Sequence, residues 1–89
     1  MVRMPKTVIG KVSHFFGKIG VAALSLSGEL KIGDRIRFEH KDGSLVLEDT
    51  VRSMQIQHKE VTSAGPGDDV AIKLSGSVHE GNIVYRVTE

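Results

Sequence analysis

The stretch GPGDDVAIKL, residues 65–74, contains the pattern that decides the fold of this chain. Its first half predicts a sharp loop, because glycine and proline adopt the backbone angles that reverse a chain. Its second half alternates between apolar and polar or small residues with a period of two, which predicts a β-strand with one buried face. The same unit recurs along the chain, whose 89 residues include ten glycines. The sequence therefore predicts an all-β protein.

The other alternating segments predict six or seven short strands in total, and no segment has helical periodicity beyond one turn. We expect the region 45–58 to be strand-like, with a bend or a break near Asp49, and residues 59–64 to form one irregular turn. Short strands at this spacing are typical of a barrel or a sandwich. A barrel has the advantage that it leaves no exposed sheet edge. We predict one domain that covers residues 1–89 and is a closed β-barrel.

Composition excludes several classes of function. The chain has no cysteine, so neither disulfides nor thiolate-bound zinc can stabilise it. Twelve Lys and Arg against eleven Asp and Glu give a net charge of +1, far from the basic balance of a non-specific nucleic-acid binder. No apolar run approaches the roughly 20 residues that cross a bilayer, and the N-terminus lacks the apolar stretch of a signal peptide. We expect a cytoplasmic protein without membrane contact.

No residue pattern indicates catalysis or a cofactor. A phosphate-binding loop requires a Gly-Lys pair followed by Ser or Thr, but Gly10-Lys11 precedes Val12 and Gly17-Lys18 precedes Ile19. The sequence has no Gly-x-Ser-x-Gly nucleophile turn, and its acidic residues are scattered. The histidines lie on separate segments without metal-ligand spacing; they are His14, His40, His58 and His79. We predict no enzyme activity, no nucleotide binding, no cofactor and no metal site.

Several segments, in order, resemble the second domain of translational GTPases such as elongation factor Tu. A glycine-rich hairpin at 17–24 precedes a hydrophobic-Gly-Asp strand entry at 30–36, and a polar strand end at 51–59 follows. An Ala-Gly strand start at 64–72 and a Gly-x-hydrophobic final strand at 80–84 complete the order. The chain is also similar to stand-alone translation elongation factor-like proteins and to the C-terminal barrel of collagenase-like peptidases. This resemblance implies a closed, six-stranded antiparallel barrel without a GTPase domain.

The segment His14-Phe15-Phe16-Gly17-Lys18 is the first candidate binding surface. Two adjacent phenylalanines cannot both point into the barrel if the strand continues through them. If the two residues serve only the structure, one of them covers an end of the barrel. In the functional interpretation the other is exposed beside His14 and Lys18, where it stacks on a base or fills a pocket on a protein.

The segment Gln55-Ile56-Gln57-His58-Lys59 is the second candidate surface. In elongation factor Tu the matching strand end helps to hold the 3′ end of aminoacyl-tRNA with an acidic residue and nearby basic ones. The resemblance places Gln55 at the acidic position and His58-Lys59 at the basic positions, so an amide replaces the carboxylate here. A solvated strand end is the alternative interpretation. The predicted binding residues are His14, Phe15, Phe16, Lys18, Gln55, Gln57, His58 and Lys59.

Two classes of function stay open at this point. The first is a non-enzymatic binding module that contacts RNA, either tRNA or rRNA, or a ribonucleoprotein. The alternative is a protein–protein adaptor that acts in trans with an enzyme such as a collagenase-like peptidase or an RNA-modifying family member, with Phe15 and Phe16 as its apolar anchor. Self-association through the same aromatic residues would make the chain a homo-oligomer.

Overall fold

The computed structural model describes residues 6–87, and regular structure within this range consists of β-strands. The alternation of buried and exposed residues along them is the period-two pattern of half-buried strands. The all-β prediction is therefore confirmed. The strands are β1 Lys6–Phe16, β2 Val21–Leu26, β3 Leu30–Lys31, β4 Arg35–Glu39, β5 Leu45–Thr50, β6 Met54–Ile56, β7 Lys59–Glu60, β8 Ser63–Ala64, β9 Asp69–Lys73 and β10 Ile83–Val87.

Eight of these strands form one antiparallel sheet in the order β5-β4-β10-β1-β2-β9-β6-β7, and β3 pairs with β8 in a separate ribbon. The expected closed, six-stranded barrel is not found, because β5 and β7 remain the two edges of an open sheet. The strand-like region 45–58, expected to bend or break near Asp49, breaks after Thr50, where the amide of Val51 donates to the carbonyl of Asp34 and leaves the strand pairing. Residues 59–64, expected as one irregular turn, contain the short strands β7 and β8.

The sheet curls around a single cluster of buried apolar side chains. Phe38, Leu24, Leu30 and Val84 are fully buried in this cluster, and they come from four different strands. Even the two-stranded ribbon contributes, through Leu30 of β3 and Ala64 of β8. Each strand of the large sheet therefore has a core side and an outer side, and the outer side carries the exposed residues that concern function.

Asp49, in β5, connects this strand to the segment that follows β9. The open sheet has no strand pairing between these two segments. The Asp49 carboxylate accepts hydrogen bonds from the amide of Ser75 at 2.8 Å, from the amide of Thr50 at 2.8 Å and from Arg52 at 2.8 Å. Burial favours the protonated acid and raises the pKa, but these hydrogen bonds outweigh it and lower the pKa of Asp49 to about 2. Asp49 thus holds together two segments that share no strand pairing.

β1 is the longest strand, and two irregularities in its pairing bend it around the core. The register shifts between Val8 and Gly10 against β10, and between Val12 and His14 against β2. Gly10 lies so close to β2 that a Cβ atom there would be 2.3 Å from the carbonyl oxygen of Ser25. Only glycine allows this approach.

Candidate functional site

Three of the eight predicted site residues, His14, Phe16 and Gln55, lie on the outer face of the sheet where β1, β2, β9 and β6 are neighbours. Residues paired across neighbouring strands point to the same side, so the register defines which side chains share this face. We call it the β2–β9 face. Its outward residues are Lys11, His14, Phe16, Val21, Ala23, Ser25, Asp69, Ala71, Lys73 and Gln55.

The tip of the β1–β2 hairpin separates the two adjacent phenylalanines. Phe15 is half-buried and packs against the core, whereas Phe16 is 46% exposed on the outer face. The Phe16 ring meets the His14 ring edge-to-face, with centroids 4.4 Å apart. Ile19, at the turn, is 62% exposed, and Lys18 beside it is also exposed. The tip therefore presents apolar and aromatic surface to solvent.

His14 also connects the hairpin to the loop before β10. Its Nδ1 lies 3.3 Å from a carboxylate oxygen of Glu80, and both side chains are more than half exposed. An exposed pair of this kind contributes little to stability. It places a carboxylate beside the ring pair of His14 and Phe16, on the rim of the β2–β9 face.

The β6–β7 connection is a two-residue turn with an unusual backbone. Gln57 and His58 have φ values of 51° and 65°, in the left-handed region that Asn and Gly normally occupy in such turns. Gln55 points outward, while Lys59 pairs with the half-buried Ile56 and so lies on the other side of the sheet. The four predicted residues of this segment therefore do not all share one surface.

Strand register brings the two predicted segments onto one face. His14 pairs with Ala23, Ala23 with Ala71, and Ala71 with Gln55, so His14 and Gln55 are three strand spacings apart, roughly 14 Å. The two alanines between them form a low floor. A hollow of about 170 Å³ lies over part of that floor, between Gln55 and Asp69.

The sequence prediction missed three charged residues of this face: Lys73, which lies beside Val21, and the pair Lys11 and Asp69. Both are exposed, and neither side chain forms an ion pair or hydrogen bond with any residue in the range 6–87. They lie in one row across the sheet, because Lys11 pairs with Ser25 and Ser25 with Asp69. No local motif marks them, since their proximity depends on the pairing of β1, β2 and β9.

The neighbouring part of the outer face, on β4, β10 and the start of β1, is organised differently. Glu39 is 1% exposed, and its carboxylate accepts hydrogen bonds from Lys6 at 2.5 Å and Arg37 at 2.6 Å. The Lys6 bond and the nearby positive charges lower the pKa of Glu39 against the opposing effect of burial. Arg37 also contacts Glu48, and the Lys6 ammonium lies 4.5 Å from the centre of the Tyr85 ring. We call this group the Glu39 network.

The histidines do not form a metal site among residues 6–87, where no three His, Asp or Glu side chains lie close enough to hold an ion. His40 and His79 line one open groove of about 630 Å³, together with Asp42 and Glu80. The Ser44 hydroxyl and amide donate to Asp42 and lower its pKa. In the same range, no helix has the length and apolar character that a membrane crossing requires.

The fold and the outer face define an all-β domain whose outward surface is available to a partner. No protein-family model matches the chain. An uncharacterized protease of Methanocaldococcus jannaschii is 44% identical over 84 residues, which cover 94% of this chain but only 20% of the protease. This chain therefore spans about one fifth of the length of that relative.

Two crystal structures show the same fold, both of the C-terminal domain of a putative U32 peptidase from Geobacillus thermoleovorans. One has a TM-score of 0.80 at 17% identity and covers 92% of each chain. Its selenomethionine variant has a TM-score of 0.79 at 16% identity and covers 88% of this chain and 96% of the other. These likenesses support the expected resemblance to a domain of peptidases. They give no support to the elongation-factor resemblance.

Proposed function

We propose that this chain is a non-catalytic, protein-binding domain that acts together with a peptidase-like catalytic region. The similarity to one fifth of the M. jannaschii protease carries the proposal, because four fifths of that relative lie outside the similar segment. The C-terminal peptidase domains with this fold support the same reading. This is the adaptor alternative of the sequence analysis.

The charges around the β2–β9 face favour a protein partner over RNA. A groove for single-stranded nucleic acid is positively charged along its length and offers aromatic rings for stacking. Here Asp69 lies within the face, and Glu80 lies beside His14 on its rim. Glu60 pairs with Gln55 and extends the same row at the sheet edge. These three carboxylates alternate with Lys11 and Lys73, so the face is mixed in charge and lacks the continuous positive charge of such a groove.

The hairpin tip supplies the anchor that a protein interface needs. Binding energy in such interfaces is concentrated in a few aromatic or large side chains at their centre. Phe16 and Ile19 are among the most exposed large apolar residues between positions 6 and 87, and both lie at this tip. We propose that Phe16 inserts into a pocket on the catalytic region.

A binding experiment with the M. jannaschii relative tests the proposal. The protease is produced in two forms, intact and without the fifth of its chain that matches this one, and each is titrated with the present chain in a calorimeter. We expect a complex with the shortened protease and none with the intact one, because the intact protease's own segment occupies the docking site. No complex at roughly 100 μM, where even weak interfaces are populated, would refute the proposed function.

Two further measurements identify the surface and the class of partner. Phe16→Ala is expected to weaken the complex at least tenfold, whereas Ile32→Ala removes an apolar residue of similar exposure elsewhere and leaves the affinity unchanged. In parallel, tRNA is titrated at low salt near pH 6.5, where electrostatic contacts are strongest. Salt-sensitive tRNA binding without a protease complex would favour the RNA function instead.

A further inference from the structure

One row of residues across the β2–β9 face has a charged side chain at each of its two ends. Lys11 and Asp69 flank Ser25 on adjacent strands, and their side chains have no ion-pair partner within residues 6–87. Two strand spacings separate their backbones by about 10 Å. Side chains on one side of an extended polypeptide recur at every second residue, about 6.6 Å apart, and the long side chains of Lys and Glu span the remaining distance. A segment with opposite charges two residues apart would match both ends.

An apolar groove of about 340 Å³ adjoins the Lys11 end of this row. Val8 and Ile83 line it on the outer face, and Leu26 and Gly10 line it near the β1–β2 seam. Val8 is 51% exposed although it lies within a long central strand. The groove is large enough for an aliphatic side chain, and Lys11 is the only charged residue among positions 6–87 that lines it.

The Asp69 end opens into the smaller hollow over the alanine floor. Ala23 and Ala71 leave space above the sheet, and Gln55 and Gln57 offer amide groups at its far side. Among residues 6–87, Asp69 is the only Asp, Glu, Lys or Arg residue that lines this hollow. The face therefore has an apolar groove with a positive charge on one side of Ser25, and a polar hollow with a negative charge on the other.

From this arrangement we infer that the β2–β9 face binds an extended polypeptide segment of its partner, with an acidic residue over Lys11 and a basic residue two positions away over Asp69. An aliphatic side chain two positions on the other side of the acidic residue fills the groove at Val8, which continues the row beyond Lys11. Charge complementarity favours this occupant over a nucleic acid, which has no positive group to place over Asp69. The inference rests on the proposed function in assigning the partner as a protein, and it adds the chemistry of the segment that is recognised.

A peptide titration tests the surface without the protease. The ¹⁵N-labelled full chain is titrated with acetyl-Val-Ala-Glu-Ala-Lys-amide and, as a control, with acetyl-Val-Ala-Gln-Ala-Gln-amide. We expect the charged peptide to shift the amide resonances of Lys11, Ser25 and Asp69, and the neutral peptide to leave them in place. Equal shifts with both peptides, shifts confined to other surfaces, or no shift at about 10 mM peptide would overturn the inference.

Charge reversal makes the test specific. Lys11→Glu and Asp69→Lys are each expected to weaken peptide binding at least fivefold, since each introduces a like-charge contact. The double variant should bind the charge-swapped peptide acetyl-Val-Ala-Lys-Ala-Glu-amide as the unchanged protein binds the original. Glu29→Gln is the control, because it removes an exposed charge that lines a different cavity. Unaltered binding by both single variants would contradict the assignment.

The same variants separate this inference from the proposed function. If the unchanged chain binds the shortened M. jannaschii protease but the two charge-reversed variants bind it equally well, the adaptor function stands and the docking surface is wrong. If the unchanged chain does not bind that protease, the function is refuted, and the peptide titration still decides the surface.

Discussion

The outer face of the sheet contains two regions that differ in how their charged side chains are paired. In the Glu39 network a buried carboxylate, two cations and a second acid satisfy one another across β1, β4 and β5. On the β2–β9 face, a few strands away, Lys11 and Asp69 have no partner among residues 6–87. Both regions lie on one sheet and share strand β1, so the fold alone does not account for the difference.

The comparison separates residues that stabilise this protein from residues that are free to bind. Removing a buried charge's partner is costly, because it leaves an uncompensated ion in a region of low polarity. An exposed charge without partners costs nothing to change and is available to another molecule. Stability measurements should therefore respond strongly in the Glu39 network and weakly on the β2–β9 face, whereas binding should respond in the opposite order.

Gly10 lies at the seam between the two regions and gives the largest expected effect. In Gly10→Ala, the new methyl group would be 2.3 Å from the Ser25 carbonyl oxygen, which belongs to the backbone and cannot rotate away. We expect a loss of about 3 kcal/mol in the free energy of unfolding, measured by urea denaturation. Gly65→Ala is the control, since nothing lies within 4 Å of its added methyl group. Equal losses for both variants would mean that β1 and β2 can move apart at Gly10 and accommodate the new methyl group.

Glu39→Ala tests the paired region directly. It leaves Lys6 and Arg37 without their shared acceptor, and because both cations keep some exposure we expect a loss of about 2–3 kcal/mol in unfolding free energy. The matched variant Asp69→Ala on the β2–β9 face should change the same quantity by less than about 0.5 kcal/mol. The contrast between the two regions would be lost if Asp69→Ala proved as destabilising as Glu39→Ala.

Asp49 extends the comparison to pH, because it is a partnered acid whose pKa is lowered to about 2. A folded-state pKa below the ordinary 3.8 means that the stabilisation is complete above pH 4 and is lost as the pH falls towards 2. The shift corresponds to about 2 kcal/mol. We expect Asp49→Asn to lose about that much at pH 7 and to flatten the decline of stability in acid. Asp69→Asn should leave the acid profile unchanged, and urea unfolding at several pH values distinguishes the two variants.

The all-β class could be predicted from the sequence because period-two alternation between glycine turns is a local pattern. The open sheet could not, since closure depends on whether distant edges share a ladder. The sequence indicated a bend or a break near Asp49 without deciding between them, and the tertiary bond from Val51 to Asp34 accounts for the break. Short strands such as β7 and β8 also lack enough residues for a periodic signal.

The candidate site was predicted in part, for similar reasons. Adjacent aromatic residues at a turn are a local signal, and Phe16 is indeed exposed while Phe15 packs on the core. The pairing that aligns His14 with Gln55, and Lys11 with Asp69, is non-local, and the first of these alignments depends on a register shift in β1 between Val12 and His14. That shift reverses which side chains face outward, so alternation read along the chain alone misassigns them.

The smallest expected effect has the opposite sign and concerns the turn at the end of the β2–β9 face. His58 occupies the left-handed region at φ 65°, which a side chain rarely adopts and glycine adopts freely. His58→Gly should therefore raise the free energy of unfolding by about 0.5 kcal/mol or slightly more, net of the entropy that glycine adds to the unfolded chain. Gln55→Gly, in the adjacent strand, should lower it, because glycine is unfavourable within strands. Urea denaturation measures both changes, and a loss of stability in His58→Gly would show that the imidazole makes a stabilising contact that outweighs the backbone strain.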